Sequence, residues 1–207
     1  LVIVGLAGFP AGCGKEKSEP SPYAYPLDDQ LRLHHVQTKG THNSYHVEPE
    51  EPIHDSHRYS HLPLDQQLET QGVRTFELDL HYSDNQSPLQ VLHLGLVDEE
   101  STCATLVDCL GVIHGWSEKN PNHLTIMVWL EMKSGSVDAK AESLRWVEDR
   151  ISNIFGEEHL LTPKQVKGDY SSVREALTTE GWPTLAQVRG KVAFILLSSD
   201  HVTDYLA

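Results

Sequence analysis

The segment Val73-Arg-Thr-Phe-Glu-Leu-Asp-Leu-His81 sets the strongest constraint on what this chain can fold into. Its period of two puts Phe76, Leu78 and Leu80 on one face of a strand and Glu77, Asp79 and His81 on the other. Carboxylates two residues apart in an otherwise apolar strand are costly to bury unless a cation compensates them. Leu124-Thr-Ile-Met-Val-Trp-Leu130 is a second apolar run and also ends in a carboxylate, Glu131. Lys191-Val-Ala-Phe-Ile-Leu-Leu197 is a third. Such runs read as strands of a parallel sheet, covered on both faces and needing a neighbour on each side.

Helical patterns lie between them. Leu64-Asp-Gln-Gln-Leu-Glu-Thr70 is followed by Gly72 as the residue that ends it. Residues 105–118 form an amphipathic helix with Thr105 as N-cap, ended by Asn120-Pro121. Val137 to Phe155 reads as a long helix with Leu144, Val147, Ile151 and Ile154 on one face, stopped at Gly156. Residues 171–179 are a further helical stretch. Leu33–Thr38 reads as the first strand and Leu89–His93 as a short extra one. Strands alternating with helices predict βαβ units, hence an α/β fold with a mainly parallel sheet.

Charge narrows the partners. Acidic residues outnumber basic ones 30 to 16, a formal charge of −14 with histidine neutral. That balance repels a polyphosphate backbone, so no nucleic acid partner is expected, and no obligate protein partner is evident. A divalent cation fits it better. Thirteen histidines favour acid–base or metal chemistry.

The N-terminal residues, Leu1 to Cys13, resemble the end of a secretory signal's apolar core. Cys13 directly after Ala11-Gly12 resembles a bacterial lipidation site, although Pro10 stands where Leu is usual. An ordinary signal cleaved nearby also fits. Residues 14–30, with Pro20, Pro22 and Pro26, read as a flexible tether, so the chain is expected to be exported, secreted or lipid-anchored at a bacterial envelope. With Cys13 set aside, Cys103 and Cys109 are free to form a disulfide. Along one helix they would stand about 9 Å apart, too far to bridge, so pairing requires Cys103 in the loop before Thr105. Two reduced, half-buried thiols are the alternative.

The polar residues at strand ends carry the chemistry. Glu77, Asp79 and Glu131, with Asn43 in the loop after the first strand, make an all-oxygen set that suits Ca²⁺, ahead of Mg²⁺, better than Zn²⁺. His42 precedes Asn43, and His93 ends its strand. Two imidazoles beside a metal supply what phosphodiester cleavage needs: proton removal, proton delivery and charge for the transition state. Taken alone, Glu77 and Asp79 also fit a solvated edge strand, and His42 a capped loop histidine. Their joint appearance at successive strand ends favours a site, as at the C-terminal face of a β/α barrel. His81 shares the carboxylates' face and is a candidate substrate contact or support behind the ligands; Lys133, two residues past Glu131, is a candidate phosphate contact, with a solvated loop lysine as the alternative. His54, His57 and His61 sit in near-ligand spacing on a loop, where a dedicated Zn²⁺ site is the weaker reading. His34-His35 reads as structural.

In order along the chain, Thr41-His42-Asn43-Ser44-Tyr45, Phe76-Glu77-Leu78-Asp79, the strand ending at His93 and Leu130-Glu131 resemble the phosphatidylinositol-specific phospholipases C, most nearly the bacterial, secreted, Ca²⁺-dependent members. His61-Leu-Pro-Leu-Asp-Gln-Gln-Leu68, Gly181-Trp-Pro-Thr-Leu185 and Arg189-Gly-Lys-Val192 match as context, so the resemblance spans about residues 31–200. It implies a TIM-type (β/α)8 barrel, His42 and His93 as the catalytic pair, and Asn43, Glu77, Asp79 and Glu131 as Ca²⁺ ligands. It implies a phospholipid substrate at a membrane surface. There the inositol 2-hydroxyl attacks phosphorus and expels diacylglycerol, leaving a cyclic or opened inositol phosphate. Glycerophosphodiester phosphodiesterases share the Glu-x-Asp strand but carry His-Arg where this chain has His42-Asn43. A non-catalytic, metal-binding, lipid-anchored module is the other alternative. Such a barrel needs eight strands and typically about 250 residues. Residues 31–207 supply about half of the strands, so the sequence reads as the N-terminal half of a barrel.

Overall fold

The computed structural model describes residues 25–81, 89–133 and 141–197. The expected leader with Cys13, most of the tether and the start of the helix expected from Val137 lie outside them.

Four strands form a parallel sheet in the order β1 (Lys39–Gly40), β2 (Val73–His81), β4 (Ile126–Lys133), β5 (Val192–Leu196). A fifth, β3 (Gln90–Val91), runs antiparallel to the end of β2, pairing Leu80 with Val91 and His81 with Gln90. Helices follow the strands: α1 (Leu64–Thr70) before β2, α2 (Leu106–Lys119) after β3, and α3 (Ala141–His159) after β4. Three short helices, α4 (Pro163–Lys167), α5 (Val173–Thr179) and α6 (Leu185–Val188), lead into β5. This is the α/β arrangement with a parallel sheet that the alternation predicts.

Pleating sorts the residues of β2 as the sequence requires. Phe76, Leu78 and Leu80 are fully buried in a core with Leu106, Leu110 and Ile113 of α2 and Val147, Ile151 and Phe155 of α3. Each such side chain contributes about 1.5–3 kcal/mol by leaving water. The opposite face carries Glu77 and Asp79. Gly156, at φ 67°, breaks the helical course of α3 where its pattern ends. Gly72, at φ 68°, turns the chain from α1 into β2.

The first strand differs from expectation. Leu33–His35 is a single 3-10 turn, and pairing with β2 starts only at Lys39–Gly40. His35 Nδ1 accepts the Arg32 backbone N–H at 3.1 Å, which closes the turn locally and withdraws these residues from the sheet. Lys39 and Gly40 then pair with Val73 and Thr75 across a register break.

Thr105 caps α2, its hydroxyl accepting the Asp108 N–H at 3.2 Å. Cys103 therefore sits in the preceding loop, and it is disulfide-bonded to Cys109 with the Cα atoms 5.1 Å apart. Backbone bonds from Val91 N to Ala104 O (3.0 Å) and from Leu106 N to Leu89 O (2.8 Å) tie this loop to β3. The disulfide thus fixes β3, which is shorter than expected: pairing ends at Val91, and His93 lies in the bend two residues beyond it. Chain-entropy reasoning for so short a loop gives about 2 kcal/mol. The double variant Cys103→Ala/Cys109→Ala should lose at least that much unfolding free energy in urea, and an unchanged midpoint would contradict the assignment.

Candidate active site

Parallel pairing places the C-terminal ends of β1, β2, β4 and β5 on one side of the sheet. In the β2–β4 register Asp79 stands opposite Glu131, and Glu77 lies one pleat before Asp79 on the same face. One carboxylate oxygen from each of Glu77, Asp79 and Glu131 lies within 4.8 Å of the others.

The loop after β1 closes over this face. Thr41 N donates to Thr75 O at 3.1 Å, and Ser44 N to Glu77 O at 3.0 Å. Ser44 Oγ accepts the Glu77 N–H at 2.9 Å. Gln67, a buried amide of α1, clamps the loop from behind: Nε2 donates to Ser44 O (2.7 Å) and Leu62 O (2.6 Å), and Oε1 accepts from the Thr41 hydroxyl. Asn43 adopts φ 46°, a left-handed conformation that asparagine tolerates better than most residues. That twist points its backbone N–H at Glu77 Oε2, 2.6 Å away. The Asn43 side-chain Nδ2 donates to the Tyr59 hydroxyl at 3.0 Å.

The carboxylates are strained electrostatically. Asp79 has a side chain 0% exposed, and Tyr45 Oη donates to its Oδ2 at 2.9 Å. Burial pushes the Asp79 carboxyl above the usual carboxylate range, against the pull of Lys133. Burial likewise raises Glu77, opposed by the Asn43 N–H and reinforced by Asp79. Lys133 Nζ lies 2.8 Å from Glu131 Oε1 and 3.3 Å from Asp79 Oδ1. The contact with Asp79 is an ion pair outside hydrogen-bond geometry, since Oδ1 has no hydrogen-bond partner among the described residues. For Lys133, burial acts to lower the pKa, but the Glu131 hydrogen bond and Asp79 outweigh it and the net shift is upward. A half-compensated trio of carboxylates with one orphaned buried oxygen fits a hard divalent cation held by oxygen donors.

The histidines divide. His42 is 80% exposed at its side chain, with Nε2 3.7 Å from Glu77 Oε2. His93 is 26% exposed, with Nδ1 2.7 Å from Asp98 Oδ2. Both line one cleft of about 490 Å³ with Asn43, Tyr59 and His61. His81 ends β2 opposite Lys133, its Nε2 buried without a hydrogen-bond partner among the described residues. The loop histidines do not cluster as their spacing suggested: His54 Nδ1 turns to Ser56, and His61 Nε2 to the His42 carbonyl at 3.0 Å. His35 is structural, as read.

Sequence reasoning missed Tyr45, Gln67, His46 and Asp98. The first two lie inside quoted motifs. Asp98 sits in an irregular turn whose sequence carries no periodic signal.

The described residues form an α/β fold whose parallel sheet gathers an acidic trio at its strand ends, the arrangement of part of a β/α barrel. The family model for Ca²⁺-dependent phosphoinositide phospholipase C matches residues 31–87 and 84–207, and the chain belongs to that family. No curated protein matches it. Among solved structures, the Ca²⁺-dependent phosphatidylinositol-specific phospholipase C of Streptomyces antibioticus is 22% identical with a TM-score of 0.59, covering 77% of this chain and 51% of its own. A calcium-dependent phosphoinositol-specific phospholipase C from Pseudomonas sp. is 21% identical with a TM-score of 0.64, covering 87% of this chain and 63% of its own. The same Pseudomonas enzyme as a myo-inositol complex is 22% identical with a TM-score of 0.62, covering 86% and 62%. The chain thus shares their fold and spans about half to two thirds of their length.

Raised carboxylate pKa values mean that the folded chain holds protons the unfolded chain has already lost. On this count stability falls as pH rises from the ordinary carboxylate range through the raised values. A cation binding the ionised trio removes that penalty. Ca²⁺ at a hundredfold excess over its Kd should add about 2.7 kcal/mol, roughly 5–10 °C in Tm for a chain of this size. The gain should shrink as pH falls from 7.5 towards 5. A Tm insensitive to Ca²⁺, or a gain that grows on acidification, would contradict the fit.

Proposed function

We propose that the full-length protein cleaves phosphatidylinositol-type phosphodiesters, releasing diacylglycerol and a cyclic or opened inositol phosphate. The observation that carries this reading is the single cleft shared by His42, Asn43 and His93, joined to the acidic trio through the Asn43 N–H on Glu77. Membership of a Ca²⁺-dependent family and the myo-inositol bound by the Pseudomonas neighbour support it.

Asn43, Glu77, Asp79 and Glu131 would hold Ca²⁺. When bound, the ion supplies positive charge to the 2-oxygen and the phosphate and lowers the hydroxyl's pKa. The protein's own part is positioning and proton movement. His93 delivers a proton to the leaving glycerol oxygen, and its Nδ1 contact with Asp98 turns Nε2 towards substrate. His42 stabilises the charge gathering on phosphorus. A carboxylate of the trio or His42 takes the 2-hydroxyl proton. The attack is intramolecular, so proximity resides in the substrate. Lys133 and His81 are proposed substrate contacts. For Lys133 that means exchanging Glu131 and Asp79 for a phosphate once the carboxylates have a metal.

We also propose export, with residues 1–13 as leader, 14–30 as tether, 31–207 as the N-terminal part of the catalytic domain and Cys13 as the lipidation site. The Cys103–Cys109 disulfide supports an oxidising compartment.

The test supplies the full-length protein with phosphatidylinositol, glycerophosphoinositol or glycerophosphocholine, with Ca²⁺ or EDTA, and identifies the phosphorus products. Cyclic inositol phosphate formed from phosphatidylinositol only with Ca²⁺ is expected. Choline release without a cyclic product would instead indicate a glycerophosphodiesterase, and no turnover a binding module. His93→Ala should slow turnover by about 10²–10⁴-fold, the usual range for a lost general acid, while Ca²⁺ affinity stays unchanged. Loss of the ion in that variant would refute the ligand assignment.

A further inference from the structure

A second cluster of ligand-type groups lies behind His93, and the chemistry above uses only its Asp98–His93 contact. Asp98 is 0% exposed, and its ion-pair contacts among the described residues are all histidines: His46, His57 and His93. The Leu94–Asp98 turn holds it there, with Leu94 N donating to Asp98 O (3.1 Å) and Asp98 N to Leu94 O (2.9 Å). Leu96 at the tip takes φ 74°, an unfavourable conformation for leucine.

His46 is sealed from solvent, and both its ring nitrogens face acceptors. Nδ1 lies 2.9 Å from the Tyr59 carbonyl oxygen and therefore donates its hydrogen there. Nε2 lies 2.9 Å and 3.1 Å from the two Asp98 oxygens. Two acceptors around one ring call for a proton or a metal ion between Nε2 and Asp98. His57 separates the two. Its Nδ1, in a residue only 5% exposed, has no hydrogen-bond partner among the described residues and stands 3.4 Å from Asp98 Oδ2. A proton on His46 leaves that nitrogen unsatisfied, whereas a metal would use it.

One ligand atom from each of His46, His93 and Asp98 lies within 4.8 Å of the others, and His57 Nδ1 stands beside Asp98 outside that group. The closest approaches of His46, His93 and His57 to Asp98 are 2.9, 2.7 and 3.4 Å. A tetrahedron with Zn–N bonds of 2.0–2.1 Å has edges of roughly 3.3 Å, so a metal would push His46 and His93 back from their hydrogen bonds to Asp98 and draw His57 in. Three imidazoles and one carboxylate select a zinc-class ion over the harder Ca²⁺. The Tyr59 carbonyl on the far nitrogen of His46 is the orienting bond that ligating histidines normally make.

We propose that His46, His93 and Asp98, joined by His57 on metal binding, form a tetrahedral site for a zinc-class divalent cation, separate from the Ca²⁺ centre. A metal on His93 Nδ1 leaves Nε2–H facing the cleft as a fixed donor that no longer cycles its proton, so occupancy would brake turnover. That consequence rests on the acid role proposed for His93; metal binding itself does not.

The experiment is a Co²⁺ titration of the full chain in excess Ca²⁺, read by visible absorption, which does not depend on turnover. One equivalent should give the intense bands of tetrahedral cobalt, abolished by Zn²⁺ but not by more Ca²⁺. His57→Ala should weaken binding at least tenfold, with far-UV circular dichroism confirming the fold. His57→Cys should keep the bands and add a near-ultraviolet thiolate-to-cobalt transition. Weak, octahedral-type absorption would overturn the proposal and leave the His46–Asp98 contact as a buried imidazolium–carboxylate pair. Tetrahedral bands indifferent to both His57 variants would also overturn it, moving the ion to His114, Glu118 and His159, whose ligand atoms also lie within 4.8 Å of one another.

Discussion

The structure depends on the electrostatics of three carboxylates gathered at the ends of two adjacent parallel strands. Parallel register puts Asp79 beside Glu131, and the pleat puts Glu77 beside Asp79. Their helix-facing neighbours are fully buried, so the strands cannot slide or rotate to expose the acids without uncovering Phe76, Leu78 and Leu80. The apolar face thus holds the polar face in an unfavourable arrangement. Lys133, the Asn43 N–H and the Tyr45 hydroxyl offset part of that cost. What remains is a charge imbalance that a hard cation would offset, as the proposed Ca²⁺ site requires.

The same economy governs the loop over the sheet. Asn43 holds a left-handed backbone because Ser44, Thr41 and Gln67 over-determine it. The conformation sets the Asn43 N–H against Glu77 and brings His42 beside the same carboxylate. Strain at one residue is the geometric means of joining the loop's histidine to the strand's acids.

Much of this was legible in sequence, for reasons that differ by element. β2, β4 and α2 follow from periodicity and from the Thr105 cap, because each is stabilised by interactions local to its own pattern. The acidic trio was legible because a carboxylate in an apolar strand contradicts its surroundings. Leu33–His35 was misread as strand because a local bond from Arg32 to the His35 ring competes with the ladder, and hydropathy carries no record of that bond. His54, His57 and His61 point apart, since near-ligand spacing along a loop says nothing about direction. Only His57 turns inward, to an aspartate forty-one residues later.

The sequence by itself determined the alternation of strands and helices, the cap that frees Cys103 to pair, and the residue types of the site. Each is encoded by short-range pattern or by a local clash of polarity. Tertiary structure alone decided that Lys133 bridges Asp79 and Glu131, that Gln67 braces the Thr41–Ser44 loop from α1, and that His46, His57 and His93 converge on Asp98. Those contacts join residues far apart in sequence or in loops without period. The Lys133 bridge follows from the β2–β4 register, and the loop contacts arise when β1 and β3 take the same edge of β2 and fold their loops together.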